Sequence, residues 1–421
     1  MKHAMNEAAR KSQTVKELIH GASKFLDEPA LSFFASQLRI SRCRRRARGR
    51  RWTYSDKIIA LSLYQSPRAY TFCQRIFTLP SICGLRRWLS SMEVRPGFSP
   101  KVLELLGDRV SAMTGKDKLC VVTFDEMSLR AGLSYNITED VVEGFEDFGS
   151  LGNTSRAANH ALVFMVRGLL GKWKQPLGYF LCRDATPADK LQLLLKECLE
   201  KLSDIGLCPK VVVCDQGSNN VRLYKQVSVT EDQPFFLHRG EKVYCMHDPP
   251  HLLKNTRSNL EKYVFRIYGT DGSRHVRWSY IRQFYEHDSQ LPIRKASKLT
   301  KSHFELNSFS KMRVNKAAQV LSHTVAAGVY TYAALGKLAG EAVYTAEFIE
   351  NIDSLFDSFN SRFFRDPKKL KRPLSKNSEH IKNFYRDMYA HPKQFEGDWS
   401  EEYPLHQGLA PCDILFVAVM G

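Results

Sequence analysis

A chain of 421 residues with 43% hydrophobic and 25% charged residues is long enough for several cores, and that balance describes a globular protein rather than a disordered or fibrous one. No apolar run approaches the roughly 18 residues of a bilayer span, and the start Met1-Lys-His-Ala-Met-Asn-Glu7 carries no secretory-type apolar segment, so no membrane partner and an intracellular location are expected. The net charge of +18 is concentrated: residues 1–51 hold 13 Lys and Arg against 4 Asp and Glu, and residues 251–316 hold 14 against 5. Two basic segments beside a neutral body suit a polyanionic partner, most simply double-stranded DNA, although any one charge run also fits a plain solvated face.

In chain order, Leu31-Ser-Phe-Phe-Ala-Ser-Gln-Leu38 has helical spacing. The stretch from Arg42 to Arg51 is too charged to fold alone and reads as a basic arm. Its Arg44, Arg45, Arg46, Arg48, Arg50 and Arg51 are candidates for phosphate contacts, for a nuclear address, or for both. Residues 52–90 divide into three short helices. The first is capped by Thr53 or Ser55, the second starts at Ser66-Pro67 and runs through Ile76-Phe77, and the third begins at Leu85-Arg-Arg-Trp-Leu89. Three helices with tight turns after a basic arm match the outline of a helix-turn-helix module whose last helix, with Arg86 and Arg87, would enter the major groove; small helical bundles also use this outline simply to pack.

Beyond Arg95-Pro-Gly-Phe-Ser-Pro100 and an amphipathic helix to about Met113, strand-like runs begin. Lys118-Leu-Cys-Val-Val-Thr-Phe-Asp125 and Lys210-Val-Val-Val-Cys-Asp215 are apolar until each stops at a carboxylate, and the polar residues 216–220 read as a loop. As neighbouring strands of an open α/β sheet they would set Asp125 and Asp215 face to face, the arrangement that holds Mg²⁺ for phosphoryl transfer; taken singly, each Asp is equally a turn cap. Further strands are expected at Leu162–Val166, in the second half of 168–181 and at Lys242–Met246, with a helix from Pro187 to Leu202 and another starting at His251. The order βββαβ, with carboxylates on the first and fourth strands, is that of the ribonuclease H fold. The ten cysteines form no CxxC pair, so buried free thiols are expected rather than a disulfide framework or a zinc finger.

The succession Phe124-Asp-Glu-Met127, Cys214-Asp-Gln-Gly-Ser-Asn-Asn220, Asp248-Pro-Pro-His-Leu-Leu-Lys-Asn255, Lys298-Leu-Thr-Lys-Ser-His303 and Lys311-Met-Arg-Val-Asn-Lys316 resembles the P-element transposases and their domesticated THAP-type relatives. The resemblance implies a helix-turn-helix module, then a ribonuclease H-like catalytic core interrupted by a mostly helical insertion that binds GTP. It divides the chain into an N-terminal helix and basic arm (1–51), the helix-turn-helix module (52–114), the first part of the core (115–254) and the insertion (255–421). It makes Asp125 and Asp215 the first two metal-holding acids, with Mg²⁺ as cofactor, and implies a nuclear protein that forms a homo-oligomer when active. Asp248 and His251 match the motif closing the first half of the fold, and either cap a helix or approach the metals.

No Walker A sequence is present, so GTP is implied by the resemblance alone; it places Asp357 and Asn360 against the guanine. Trp278, Tyr280, Phe284 and Tyr285, interleaved with basic residues, suit either a DNA backbone or a core. An N-terminal THAP finger has no counterpart before the arginine run, and the third catalytic acid is expected to be absent, leaving an incomplete core. A DNA-binding protein without enzymatic activity, or a transposase fragment, is the alternative to a metal-dependent enzyme of DNA cleavage and strand transfer.

Overall fold

The computed structural model describes residues 15–41, 50–90, 95–137, 140–269, 272–361, 363–375, 378–390 and 395–397. They belong to two compact units, Met1–Val94 and Arg95–Gly421. Arg44, Arg45, Arg46 and Arg48 lie outside the described residues.

The first unit is helical: α1 (Val15–Ala22), α2 (Glu28–Ser41), α3 (Tyr54–Leu63), α4 (Pro67–Ile76) and α5 (Ile82–Ser90). Thr53 is the cap of α3: its hydroxyl accepts from the Asp56 amide at 3.3 Å while the Asp56 carboxylate accepts from the Thr53 amide at 2.8 Å. The same buried carboxylate receives the guanidinium of Arg39 from α2, which ties the two helices together. Ser66 and Pro67 start α4. The third helix begins at Ile82, ahead of the expected Leu85, because the Ser81 hydroxyl accepts from the Gly84 amide and organises the first turn. Ala60, Tyr70 and Leu85, one from each of the last three helices, form a small core, and the Tyr70 hydroxyl donates to the Pro80 carbonyl at 2.8 Å.

The second unit opens with β1 (Gly97–Phe98) and α6 (Pro100–Ser111), whose Leu106 and Val110 enter the α/β core. There follow β2 (Leu119–Ser128), β3 (Ser134–Asn136), β4 (Val141–Glu143), β5 (Phe145–Asp147), β6 (Asn153–Ala157), β7 (His160–Gly168), β8 (Lys174–Cys182), α7 (Ala188–Asp204), β9 (Cys208–Cys214), α8 (Ser218–Gln226), β10 (Phe235–His238), β11 (Glu241–His247) and α9 (Pro249–Lys262). The main sheet runs β10-β11-β9-β2-β7-β8-β5-β6, with β1 beside β8. Only β9 pairs in parallel, with β2 on one side and β11 on the other. Helix α7 turns Leu191, Leu194, Leu195, Cys198, Leu199 and Leu202 into the core at helical spacing.

The expected strands and the long helix are all present, with two corrections. Strand β2 does not stop at Asp125 but continues to Ser128, because antiparallel β7 goes on pairing with it as far as Ser128↔His160. The polar run after Asp215 is a loop only as far as Gly217, where α8 starts. The chain is thus a ribonuclease H-like α/β core followed by a mostly helical insertion.

The insertion contains β12 (Phe265–Gly269), β13 (Gly272–Val276), α10 (Trp278–Asp288), α11 (Ser308–Lys311), α12 (Val314–Val320), α13 (His323–Ala334), α14 (Ala342–Phe359), α15 (Glu379–Ala390) and β14 (Phe395–Gly397). Its core joins Leu253 and Leu260 of α9 to Phe265, Ile281, Val329 and Ile349. Trp278, Tyr280 and Phe284 are buried in it and Tyr285 packs on its edge, so these aromatics are core side chains and not a platform for DNA. Gly328 has a packing reason to be glycine inside α13: a Cβ there would lie 2.3 Å from the Phe284 ring.

Candidate functional site

The parallel ladder between β2 and β9 fixes the site. Val121, Val122 and Thr123 pair with Val211, Val212 and Val213, so the next two steps bring Asp125 level with Asp215 on the same face. Neighbouring strands lie about 4.8 Å apart, which sets the two carboxylates side by side at the C-terminal edge of the sheet. Asp125 is carried by the part of β2 whose parallel partner has just ended, so its tip is open to solvent.

Each carboxylate is oriented through one oxygen. Asp125 Oδ1 accepts from the Glu126 amide at 2.8 Å. Asp215 Oδ1 accepts from the Gly217 amide at 3.0 Å and from the Asn220 side chain on α8. Among the described residues no donor reaches Oδ2 of either. Desolvation lifts the Asp125 carboxyl above the usual range; the Glu126 amide opposes this, Asp215 adds to it, His251 opposes it and Asp248 adds to it. Two level carboxylates, each with one oxygen that no donor reaches among the described residues, and one of them, Asp125, disfavoured in its charged form, fit a hard divalent cation such as Mg²⁺. Among the described residues no group of three His, Cys, Asp or Glu side chains stands as a ready metal cluster.

Asp248 caps α9, its carboxylate accepting from the His251 amide at 3.3 Å, and both residues act electrostatically on Asp125. Three supports have no pattern in the sequence. Buried His247 hydrogen-bonds the Asp215 carbonyl through Nδ1 at 3.0 Å, and burial lowers its pKa, which favours the neutral ring. Asn255 of α9 donates to Gln216 Oε1 at 3.2 Å across 39 residues of sequence. Glu126 turns to the other face of β2 and accepts from the Thr186 amide at 2.8 Å, so it anchors the loop before α7 rather than joining the carboxylate pair. The neighbouring thiol of Cys214 is buried and burial pushes its pKa up, as it pushes Cys120 up to about 12; these are inert core thiols.

The remaining candidates are apart from this pair. Arg51, Arg86 and Arg87 are exposed in the first unit, with Arg86 Nε donating to the Tyr64 hydroxyl at 3.2 Å, while Arg50 is half-buried. Asp357 near the end of α14 is buried and already paired, with Lys368 at 2.6 Å and Lys371 at 3.0 Å. Asn360 ends α14 and donates to the Phe356 carbonyl at 2.9 Å.

Two family models match the chain: "TNP-like, RNase H N-terminal domain" over residues 94–228 and "TNP-like, GTP-binding insertion domain" over residues 250–373. The chain therefore carries a ribonuclease H-like domain and an insertion domain of the TNP-like type. The "Transposable element P transposase" of Drosophila melanogaster is 28% identical over 321 residues, covering 75% of this chain and 40% of that protein. The human "DNA transposase THAP9" is 28% identical over 331 residues, covering 76% of this chain and 36% of that protein. A solved "Drosophila P element transposase strand transfer complex" superposes with a TM-score of 0.73 at 23% identity, over 96% of this chain and 84% of that one. Over about three quarters of its length the chain is thus similar to transposases of the P-element and THAP type, and it spans well under half the length of these two relatives.

Proposed function

We propose that this is a nuclear DNA-binding protein of the transposase type, whose ribonuclease H-like core supports metal-dependent DNA cleavage and strand transfer through Asp125 and Asp215. The observation that carries this is the register of β2 and β9, which levels two carboxylates on adjacent parallel strands. Mg²⁺ bound there would neutralise charge on the scissile phosphate and lower the pKa of the attacking hydroxyl. The chain's own part is to fix each carboxylate through Oδ1 and leave its Oδ2 without a donor among the described residues. Asn220 and the Gly217 amide fix Asp215, the Glu126 amide fixes Asp125, and neutral His247 locks the backbone behind Asp215. DNA is held by the basic arm, Arg44, Arg45, Arg46, Arg48, Arg50 and Arg51, and by Arg86 and Arg87 of α5 in a helix-turn-helix arrangement. Two turn-linked helices ahead of an exposed, arginine-bearing α5 support that reading.

GTP is the proposed ligand of the insertion, with Asp357 and Asn360 reading the guanine edge. In that reading Lys368 and Lys371 exchange their carboxylate partner for the nucleotide. Asp357→Ala is then expected to weaken binding of a fluorescent GTP analogue about tenfold or more, and unchanged affinity would remove Asp357 from the site.

Cleavage of a duplex carrying terminal inverted repeats, with Mg²⁺ or Mn²⁺, tests the enzymatic reading. Cation-dependent nicking that Asp125→Ala and Asp215→Ala each abolish is the expected result. DNA binding with no cleavage by the parent chain would instead favour a non-enzymatic DNA-binding protein built on a transposase core.

A further inference from the structure

Helix α13, His323–Ala334, contains no Asp, Glu, Lys or Arg. Its Val325, Ala326, Gly328, Val329 and Tyr332 are buried in the core of the insertion. The opposite stripe, where a surface helix carries its charges, is instead Ala327, Tyr330, Thr331 and Ala334 at the i, i+3, i+4, i+7 spacing, and Tyr330 is 57% exposed. The Thr331 hydroxyl is turned back onto the Ala327 carbonyl at 2.7 Å. A helix without charge on either face belongs under a cover.

Along that stripe α13 and α14 enclose a groove of about 440 Å³. Ala326, Ala327 and Tyr330 wall it on one side, Val343 and Ala346 on the other, and the small side chains leave room for another helix to come close. From His323 to Thr331 the wall runs about 12 Å, two turns of a helix laid beside it. Its rim on α14 is acidic: the side chains of Glu347 and Glu350 are 56% and 44% exposed. Glu350 meets His323 at 2.6 Å and Glu347 meets Arg274 only at 3.8 Å, so both carboxylates still face solvent. In a chain of net charge +18, an apolar groove edged by carboxylates repels a phosphate backbone and favours a cationic protein surface. Residues 394–421 hold no Lys or Arg, so that part of the chain does not match the rim.

We propose that the α13–α14 groove binds an amphipathic helix of a partner protein, apolar along one stripe and bearing Lys or Arg opposite Glu347 and Glu350. The apolar stripe packs on Ala327, Tyr330 and Ala346, and the cations fix its direction and register. None of these residues belongs to the carboxylate pair or to the proposed guanine contacts, so the test does not depend on either.

Selection of phage-displayed random peptides, about sixteen residues long so that they can form the two turns required, on the full chain tests this, followed by fluorescence anisotropy with the labelled consensus peptide. The consensus is expected to carry apolar residues at helical spacing with Lys or Arg at their margin. Ala327→Trp, which fills the groove, and the pair Glu347→Lys with Glu350→Lys are each expected to weaken its binding about tenfold or more, with an unchanged far-ultraviolet circular dichroism spectrum. The same peptide with its Lys and Arg replaced by Glu is expected to bind the Lys pair and not the parent, which a merely misfolded variant could not do. Failure to enrich any peptide, a consensus without cations, or an affinity indifferent to both changes overturns the proposal.

Discussion

In the proposed site, Asp125 stands ready for a cation at the expense of the cation-free protein. Desolvation and, to a lesser extent, the neighbouring Asp215 raise the Asp125 pKa in the folded chain, so folding disfavours its charged form. The stability this provides is complete below the unfolded pKa and is lost as pH rises through the folded pKa, leaving an unfavourable charge at neutral pH. Asp125→Asn is therefore expected to raise the melting temperature in chelator at neutral pH. The same variant is expected to lose the stabilisation that divalent cation gives the parent, about 1.4 kcal/mol at ten times the dissociation constant. Melting curves with chelator and with Mg²⁺ check both, and a variant that melts below the parent in chelator would contradict the account. The two aspartates were legible in the sequence because each ends an apolar run. Their alignment was not, since it depends on a register across some ninety residues. The bonds from Asn220, His247 and Asn255 were hidden for the same reason: each is a single polar contact with no periodicity to announce it.

Elements were readable where they were long and periodic. Helix α7 and the strands β2, β7 and β9 follow directly from apolar spacing, whereas β3 to β5 have three residues each, too few for a pattern to rise above the surrounding loop. The interleaved aromatics of α10 left two readings open for a related reason: alternation of basic and aromatic residues looks alike on a groove and on an amphipathic helix, and burial decides for the core. Gly328→Ala is accordingly expected to cost about 1–3 kcal/mol by forcing Cβ against Phe284, read as a lowered denaturant midpoint with the ribonuclease H-like core intact. In the first unit, burial opposes ionisation of Asp56, but hydrogen bonds from Ser36, Thr53 and Arg39 outweigh it and lower the pKa. That stability is present above the unfolded pKa and is lost as pH falls through the folded pKa. Asp56→Ala is expected to cost about 1–3 kcal/mol at neutral pH and progressively less in acid, measured as amide exchange protection of α2 and α3. Equal protection in parent and variant at pH 7 would remove the capping box and the Arg39 pair from the account.

At the scale of the whole molecule, the N-terminal basic segment and the proposed catalytic carboxylates lie in different parts of the chain. The carboxylate edge belongs to the near-neutral core, while the first unit supplies the proposed arginine contacts to DNA, so affinity and chemistry should separate on mutation. Replacing Arg86 and Arg87 with Ala is expected to weaken binding to any duplex and to reduce the slope of log K against log salt by about 0.9 for each phosphate no longer neutralised, without changing cation affinity. The insertion is joined to the core through α9, whose cap Asp248 acts electrostatically on Asp125 and whose Leu253 and Leu260 lie in the core of the insertion.

Calorimetric titration of Mn²⁺ into the purified full chain tests the central claim most directly. The account predicts a site that Asp125→Asn and Asp215→Asn each weaken by at least about tenfold, with Arg86→Ala unaffected. Equal Mn²⁺ affinity in the parent and both Asn variants would contradict it, because the two level carboxylates would then not be what holds the cation.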